Sequence, residues 1–374
     1  MADAYASRVA RFVAELEAVG ALGDPAWRAA FAGVPRHVFL PRFFVDLPDG
    51  RWRAVDERDA EYAGLVYADS TLTTQLDGVA GPVPGAEPVA GIGTSSSTQP
   101  TLMAWMLDAL GLRGGERVLE IGTGTGYNAA LLAHRLGGER VTSVEVDPVV
   151  ARMARERLEI AGYRPVTVVG DGERGWAARA PYDAVLATVA VPEVPAAWIE
   201  QARDGGVIVT SLWRDLGGGP LVRLVVDGDV AQGRFLAVPG GFMPVRSAPR
   251  AAAVLASARY QTGERRETPL DPSILRTSDA GLWIALFVPG ATWLGFTPDG
   301  GAPQMWLFAV DGSWAVIEGS TVEQYGPRRL WDEAETVHAR WSEAGGPTRE
   351  RLGLTVCADG DHRFWLDDPG VAAI

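Results

Sequence analysis

Seven residues, Glu120-Ile121-Gly122-Thr123-Gly124-Thr125-Gly126, lie between the apolar pair Val118-Leu119 and a helical pattern that runs from Tyr127 to Ala133. A buried strand therefore gives way to a glycine turn and then to a helix N-terminus, an order that brings backbone N–H groups close to a ligand. Acids recur at the ends of the next two strand-like runs. Glu145 closes Val141-Thr142-Ser143-Val144, and Asp171-Gly172 follows Val166-Thr167-Val168-Val169. An acid about 20 residues beyond such a turn accepts hydrogen bonds from ribose hydroxyls, and three acids at successive strand C-termini share one crevice. The chemistry is that of a nucleotide-type cofactor. A dinucleotide site places a third glycine where this chain has Tyr127, and no G-K-[ST] follows for a phosphate loop. S-adenosyl-L-methionine, which carries a ribose and an amino acid but no pyrophosphate, is the reading that remains. The blander alternative takes the same residues as tight-turn glycines and surface acids.

The rest of the composition limits the function classes. A chain of 374 residues has room for two domains, and its 47% hydrophobic and 22% charged content is that of an ordinary globular protein. No apolar run approaches the roughly 20 residues of a membrane span, and Met1-Ala2-Asp3-Ala4 lacks the features of a signal peptide, so a cytoplasmic enzyme with no membrane partner is expected. The single cysteine, Cys357, excludes internal disulfides, and its flank Leu354-Thr355-Val356 suggests a packing role in the core. His37, His134, His338 and His362 are scattered without metal-ligand spacing, so no metal is expected. The net charge of −13, with all 34 basic residues arginine and none clustered, argues against nucleic acid.

Around the glycine turn the pattern alternates strand and helix. Strand runs are expected to Glu145, to Val169, over Ala184 to Ala187 and over Val207 to Ser211, with helices from Pro148 and from Pro195. Alternation of this kind gives an α/β, Rossmann-like fold with a mostly parallel sheet. A hairpin through Asp227-Gly228-Asp229 completes it. Two helices open the chain, the second capped by Asp24-Pro25, and a poorly patterned stretch reaches to about Gly93. Ser95 to Thr98 lead into a helix from Thr101 to Leu110 and supply candidate caps for it. Residues 1–246 are thus expected to form the cofactor-binding domain, with N-terminal helices over 1–93 and the Rossmann-like core over 94–246. Residues 247–374 begin with a linker from Ser247 to about Asp271 and continue as a smaller α+β domain. Seven tryptophans crowd that domain, around a meander sheet and the helix Leu330 to Glu343.

Several segments in order carry a family resemblance: Val34-Pro35-Arg36-His37-Val38-Phe39-Leu40-Pro41, Ser97-Thr98-Gln99-Pro100, the Glu120 to Tyr127 turn, Val169-Gly170-Asp171-Gly172 and Ala180-Pro181-Tyr182-Asp183-Ala184. Over roughly residues 30 to 245 the chain resembles the protein L-isoaspartyl O-methyltransferases. Its length, serine run and extra C-terminal domain look like the branch that accompanies ATP-grasp ligases in graspetide biosynthesis. The resemblance implies methyl transfer from S-adenosyl-L-methionine to an aspartate-type carboxylate. In that branch the substrate is a cross-linked ribosomal precursor peptide whose methyl ester closes to an aspartimide; in the wider family it is isoaspartate in damaged proteins. A cofactor-binding module without turnover is the reading from another class. Carried over by position, Thr98, with Ser97 and Ser96 beside it, is the catalytic hydroxyl. Glu120, Gly122, Gly124 and Gly126 shape the cofactor pocket, Thr123 and Tyr127 line it, Glu145 meets the ribose, and Asp171 with Gly172 the adenine. Thr101 stands where repair members often have histidine, and Thr188-Val189-Ala190 departs from the family's small-residue run before Pro192-Glu193-Val194-Pro195. Arg36, Arg42, Arg51 and Arg53 are expected near the substrate mouth, and peptide recognition is the role expected of the C-terminal domain.

Overall fold

The computed structural model describes residues 2–81, 85–217, 219–247, 261–277 and 279–373. Two helices, Ala2–Ala18 and Pro25–Gly33, open the chain, and Asp24 caps the second by accepting from the Ala26 amide at 2.8 Å. The stretch after them is a small antiparallel sheet. Strands β1 (Arg42–Asp46), β2 (Trp52–Asp56), β3 (Leu72–Leu76) and β4 (Val79–Ala80) run in the order β2-β1-β3-β4, and β5 (Gly93–Ser97) also pairs with β3. Its strands escape pattern reading because β5 is hydroxyl-rich and β3 is buried throughout, Thr73, Thr74 and Gln75 included.

The central sheet starts with β6 (Val118–Ile121), β7 (Val141–Glu145), β8 (Val166–Val169), β9 (Tyr182–Val191) and β10 (Ala202–Leu212). All five are parallel, in the order β8-β7-β6-β9-β10. The chain works outward from β6 to β8 and then returns to β6's other side, so a crevice opens at the carboxyl end of β6, the place where open α/β sheets bind ligands. The hairpin β11 (Pro220–Asp227) and β12 (Val230–Pro239) follows in antiparallel sense.

That hairpin does not complete the sheet. Beyond β13 (Glu264–Glu267), β14 (Ala291–Phe296), β15 (Gln304–Ala309), β16 (Trp314–Glu318) and β17 (Thr321–Tyr325), the chain returns. Its last hairpin, β18 (Leu352–Cys357) and β19 (His362–Leu366), pairs antiparallel onto β12. The sheet therefore has nine strands, the parallel five followed by four antiparallel, and the expected boundary after residue 246 runs through it. Strands β13 to β17 form their own antiparallel sheet in the order β13-β17-β16-β15-β14, the expected meander. The helix Leu330–Glu343 appears with the expected bounds. Helix Asp279–Phe287 was not foreseen, because residues 280–286 are all buried and it shows no polar face. Trp283 and Trp331 are fully buried, and Trp331 Nε1 donates to Thr268 Oγ1 at 2.7 Å, which gives these two indoles a packing role. Cys357 is half-buried rather than in the core, and Arg363 Nη2 donates to its sulfur at 3.3 Å. Of the expected linker, residues 248–260 lie outside the described residues. Among the described residues no helix is long and apolar enough to cross a membrane, and no cluster of metal-ligating side chains occurs.

Candidate active site

The crevice at the end of β6 is a cavity of about 600 Å³, a size within the usual range for small-molecule sites. One half is built by the glycine turn. Gly122 and Gly124 lie on its wall with φ of 93° and 53°, and a Cβ on Gly124 would stand 3.3 Å from the Ser96 carbonyl oxygen. Only glycine holds that left-handed conformation against another backbone without strain. Glu145 faces the turn, and its Oε2 accepts from the Gly124 amide at 2.9 Å while Oε1 accepts from the Asp147 amide at 3.1 Å. Asp171 and Gly172 form the far wall, with the Gly172 carbonyl fixed by Trp198 Nε1 at 2.8 Å. A Cβ on Gly172 would come within 2.4 Å of Ile121 Cγ2, so this corner is closed to any side chain.

Ten of the twelve residues expected at the site line this cavity, including Thr123, Tyr127 and the hydroxyl residues Ser96, Ser97 and Thr98. Gly126 does not. It lies under the turn, where a Cβ would meet Leu158 and the Ala154 carbonyl at 3.2 and 3.3 Å, so it permits helix packing rather than ligand contact. Glu120 does not line the cavity either. It is fully buried behind the turn, taking hydrogen bonds from Asn128 Nδ2 at 2.6 Å and from the Ser143 hydroxyl, which in turn is 2.6 Å from Thr123 Oγ1 on the wall. Burial pushes the Glu120 carboxyl up to about 7, against the pull of those two hydrogen bonds.

The opposite half is the edge of the small sheet. Strand β5 and the residues after it lay Thr94 to Thr98 along the wall, with Thr71, Thr73 and Trp52 beside them. The expected capping role falls elsewhere: Asp69 Oδ1 accepts from the Thr101 amide at 2.8 Å, Thr71 Oγ1 from the Gln99 amide at 3.2 Å, and helix Pro100–Ala109 takes no cap from the serine run. Thr94 and Ser95 hydroxyls are engaged within the sheet. Those of Ser96, Ser97 and Thr98 have no partner among the described residues. Thr101 is buried off the cavity.

Arg36, expected near the substrate mouth, is fully buried and serves the backbone. Its guanidinium donates to the carbonyls of Val66, Ala68, Ser70 and Thr98 at 2.8 to 3.3 Å. Burial pushes it down to about 10. Arg51 pairs with Asp49 and Arg53 with Glu61, both away from the cavity wall. The arginine on the wall is Arg246, which sequence reasoning missed. It donates to Asp147 Oδ2 at 3.0 Å and Gln75 Oε1 at 3.1 Å. Burial works against ionisation of Asp147, but hydrogen bonds from Gln75, the Val149 and Val150 amides and Arg246 outweigh it and hold its carboxyl below the usual range. Residues 241–247, which carry Arg246, cross back over the cavity and are tied to β9 by Met243, whose carbonyl accepts from the Ala190 amide, and by Val245. Pro239-Gly240-Gly241 at the end of β12 was the available signal for such a return.

The charged groups on the described wall are Glu145, Asp171, Glu173 and Arg246. That acidic excess suits a cofactor bearing a sulfonium and an ammonium group, and suits a pyrophosphate poorly. Buried glycine backbone, a ribose-competent acid and closed corners fit S-adenosyl-L-methionine.

Comparisons with known proteins agree. A family model described as protein-L-isoaspartate(D-aspartate) O-methyltransferase matches residues 61–215. Protein-L-isoaspartate O-methyltransferase 1 of Rhodopseudomonas palustris (strain HaA2) is 35% identical over 260 residues, which cover 67% of this chain and 91% of that protein. Protein-L-isoaspartate O-methyltransferase of Ignicoccus hospitalis is 42% identical over 128 residues, 34% of this chain and 61% of its own length. A solved structure of a protein-L-isoaspartate O-methyltransferase shares the fold over 96% of this chain and 100% of its own, with a TM-score of 0.55 at 22% identity.

Proposed function

Because the chain belongs to the protein-L-isoaspartate O-methyltransferase family, whose members are S-adenosyl-L-methionine-dependent protein carboxyl O-methyltransferases, we propose that the hydroxyl-lined half of its cavity receives an aspartate-derived carboxylate of a peptide. The observation that carries this is the wall itself: Ser96, Ser97 and Thr98 carry hydroxyls without partners among the described residues, in the same cavity as Gly122 and Gly124. When bound, the cofactor supplies an electrophilic methyl group and leaves as a neutral thioether. A carboxylate of ordinary pKa near 4 is already ionised at neutral pH, so no general base is required. The Thr98 hydroxyl donates to one carboxylate oxygen and so orients the other. Arg36 fixes the Thr98 carbonyl, and the Ser96 backbone packs on Gly124. The two halves of the site are therefore held at a set separation, and alignment of this kind lowers a barrier by several kcal/mol.

The finer reading is that the peptide is a cross-linked ribosomal product of an ATP-grasp ligase, and that the ester is displaced by the next backbone nitrogen to give an aspartimide. Thr101 in place of histidine, and Thr188-Val189-Ala190 before the Pro192 loop, depart from the repair pattern and put a preference for isoaspartate in doubt. General repair of isoaspartate is the second reading, favoured by the named relatives. The C-terminal region by itself does not separate them, since a solved isoaspartyl methyltransferase matches the fold over almost the whole chain. Mass spectrometry of the purified enzyme with S-adenosyl-L-methionine decides. Three substrates are compared: a cross-linked graspetide-type peptide, its linear form and a simple isoaspartyl peptide. Methylation followed by net loss of water on the cross-linked peptide alone supports maturation. Methylation of the isoaspartyl peptide to an equal extent supports repair and removes the finer reading.

A further inference from the structure

We propose that His362, on β19 far outside the region that the family model matches, is a positioning residue that holds the Pro192-Glu193-Val194-Pro195 loop and, through it, one wall of the cavity. The Val194 amide donates to His362 Nε2 at 2.9 Å, across 168 residues of sequence. Nε2 must then be the acceptor, which leaves the ring proton on Nδ1, 2.9 Å from the Gly360 carbonyl oxygen. Both ring nitrogens are thus satisfied in one neutral tautomer. The same hairpin also reaches the loop indirectly: Phe364 lies beneath the guanidinium of Arg214, 5.9 Å from ring centroid to carbon. Arg214 Nη1 donates to the carbonyls of Pro192 and Trp213, each at 2.7 Å.

From the loop the hydrogen bonds run on to the cavity. The Trp213 amide donates to Val191 at 2.6 Å, the Ala190 amide to Met243 at 2.9 Å and the Val245 amide to Ala190 at 2.9 Å. Met243, Val245 and Val189 all line the cavity. The end of β9 is therefore tied to the cavity-crossing segment, while the loop that follows it is held by the last hairpin. The inference rests on methyl transfer as the reaction and not on which peptide is the substrate.

Three forms of the full-length enzyme, wild type, His362→Phe and His362→Gln, are assayed for methylation of whichever peptide the wild type accepts, alongside S-adenosyl-L-homocysteine affinity by calorimetry. Phenylalanine keeps the ring and removes the acceptor; glutamine restores an oxygen acceptor. The expected result is a peptide KM raised about five- to tenfold in His362→Phe, the loss of one partly buried hydrogen bond, with kcat and product affinity within about twofold. His362→Gln recovers most of the loss. Amide hydrogen exchange on the wild type gives a readout that needs no variant: the Val194 amide should be protected. A Val194 amide that exchanges as an unprotected one overturns the proposal, as does an unchanged KM in His362→Phe, or a glutamine variant as impaired as the phenylalanine one.

Discussion

Replacing Glu120 by glutamine should change how stability depends on pH. The wild-type carboxyl is buried, ordinarily ionises near 4.5 and is pushed up to about 7 in the fold. At pH well below 4.5 it is protonated in folded and unfolded chains alike, and burial exacts nothing. As pH rises toward 7 the unfolded chain ionises first, so stability present at low pH is lost, and the loss is complete above the folded value. A displacement of this size corresponds to about 3 kcal/mol at roughly 1.4 kcal/mol per pH unit, most of it falling between about pH 5 and 8. Glutamine can keep both contacts, accepting from Asn128 and donating to Ser143, but it does not titrate. Urea unfolding followed by tryptophan fluorescence at pH 5, 6, 7 and 8 should show the stability of Glu120→Gln relative to wild type rising by about 2 to 3 kcal/mol across that range. A relative stability that stays flat within about 0.5 kcal/mol, larger than the usual error of comparing midpoints, would refute the reasoning. The variant also reverses the hydroxyl chain behind the turn. Ser143 then donates to Thr123, and the Thr123 proton is turned toward the cavity.

Three other outcomes are expected. Thr98→Val should lower kcat about tenfold or more while leaving S-adenosyl-L-homocysteine affinity within about twofold, measured by a methyl-release assay and calorimetry; full activity would take the hydroxyl out of the site. Arg36→Met should cost about 3 kcal/mol or more in urea unfolding, because the carbonyls of Val66, Ala68, Ser70 and Thr98 lose their donor in a buried place. A chain ended after Arg246 should be insoluble or aggregated by sedimentation, since β12 then shows an open edge where β18 pairs now; a soluble, cofactor-binding fragment would contradict that.

The cofactor half of the site was legible because its signal is local. Strand, turn and helix adjoin in sequence, and acids at strand ends need only the parallel order to converge. Two expected pocket residues, Glu120 and Gly126, lie off the cavity; for Glu120 the reason is the same locality, since a strand residue two before the turn points to one face or the other, and sequence spacing does not say which face holds the ligand. The substrate half was harder. Strand β5 is Gly-Thr-Ser-Ser-Ser, without apolar alternation, and it exists because β3 offers it an edge. Arg36 was expected near the substrate mouth, and only the fold brings the four distant carbonyls that bury it. Arg246 reaches the cavity through pairing across the whole domain. The β18–β19 addition was invisible for the related reason that a hairpin carries no record of the strand it will join.

The pairing of β18 onto β12 also sets an order of events during synthesis. When β12 leaves the ribosome its outer edge has no neighbour, and it must wait for the entire meander and the helix Leu330–Glu343 to be made before Leu352–Cys357 arrives. Completion of the nine-stranded sheet is thereby deferred until nearly all of the chain described here has been translated, and a nascent chain stalled in the C-terminal region presents an unsealed strand to the chaperones around it.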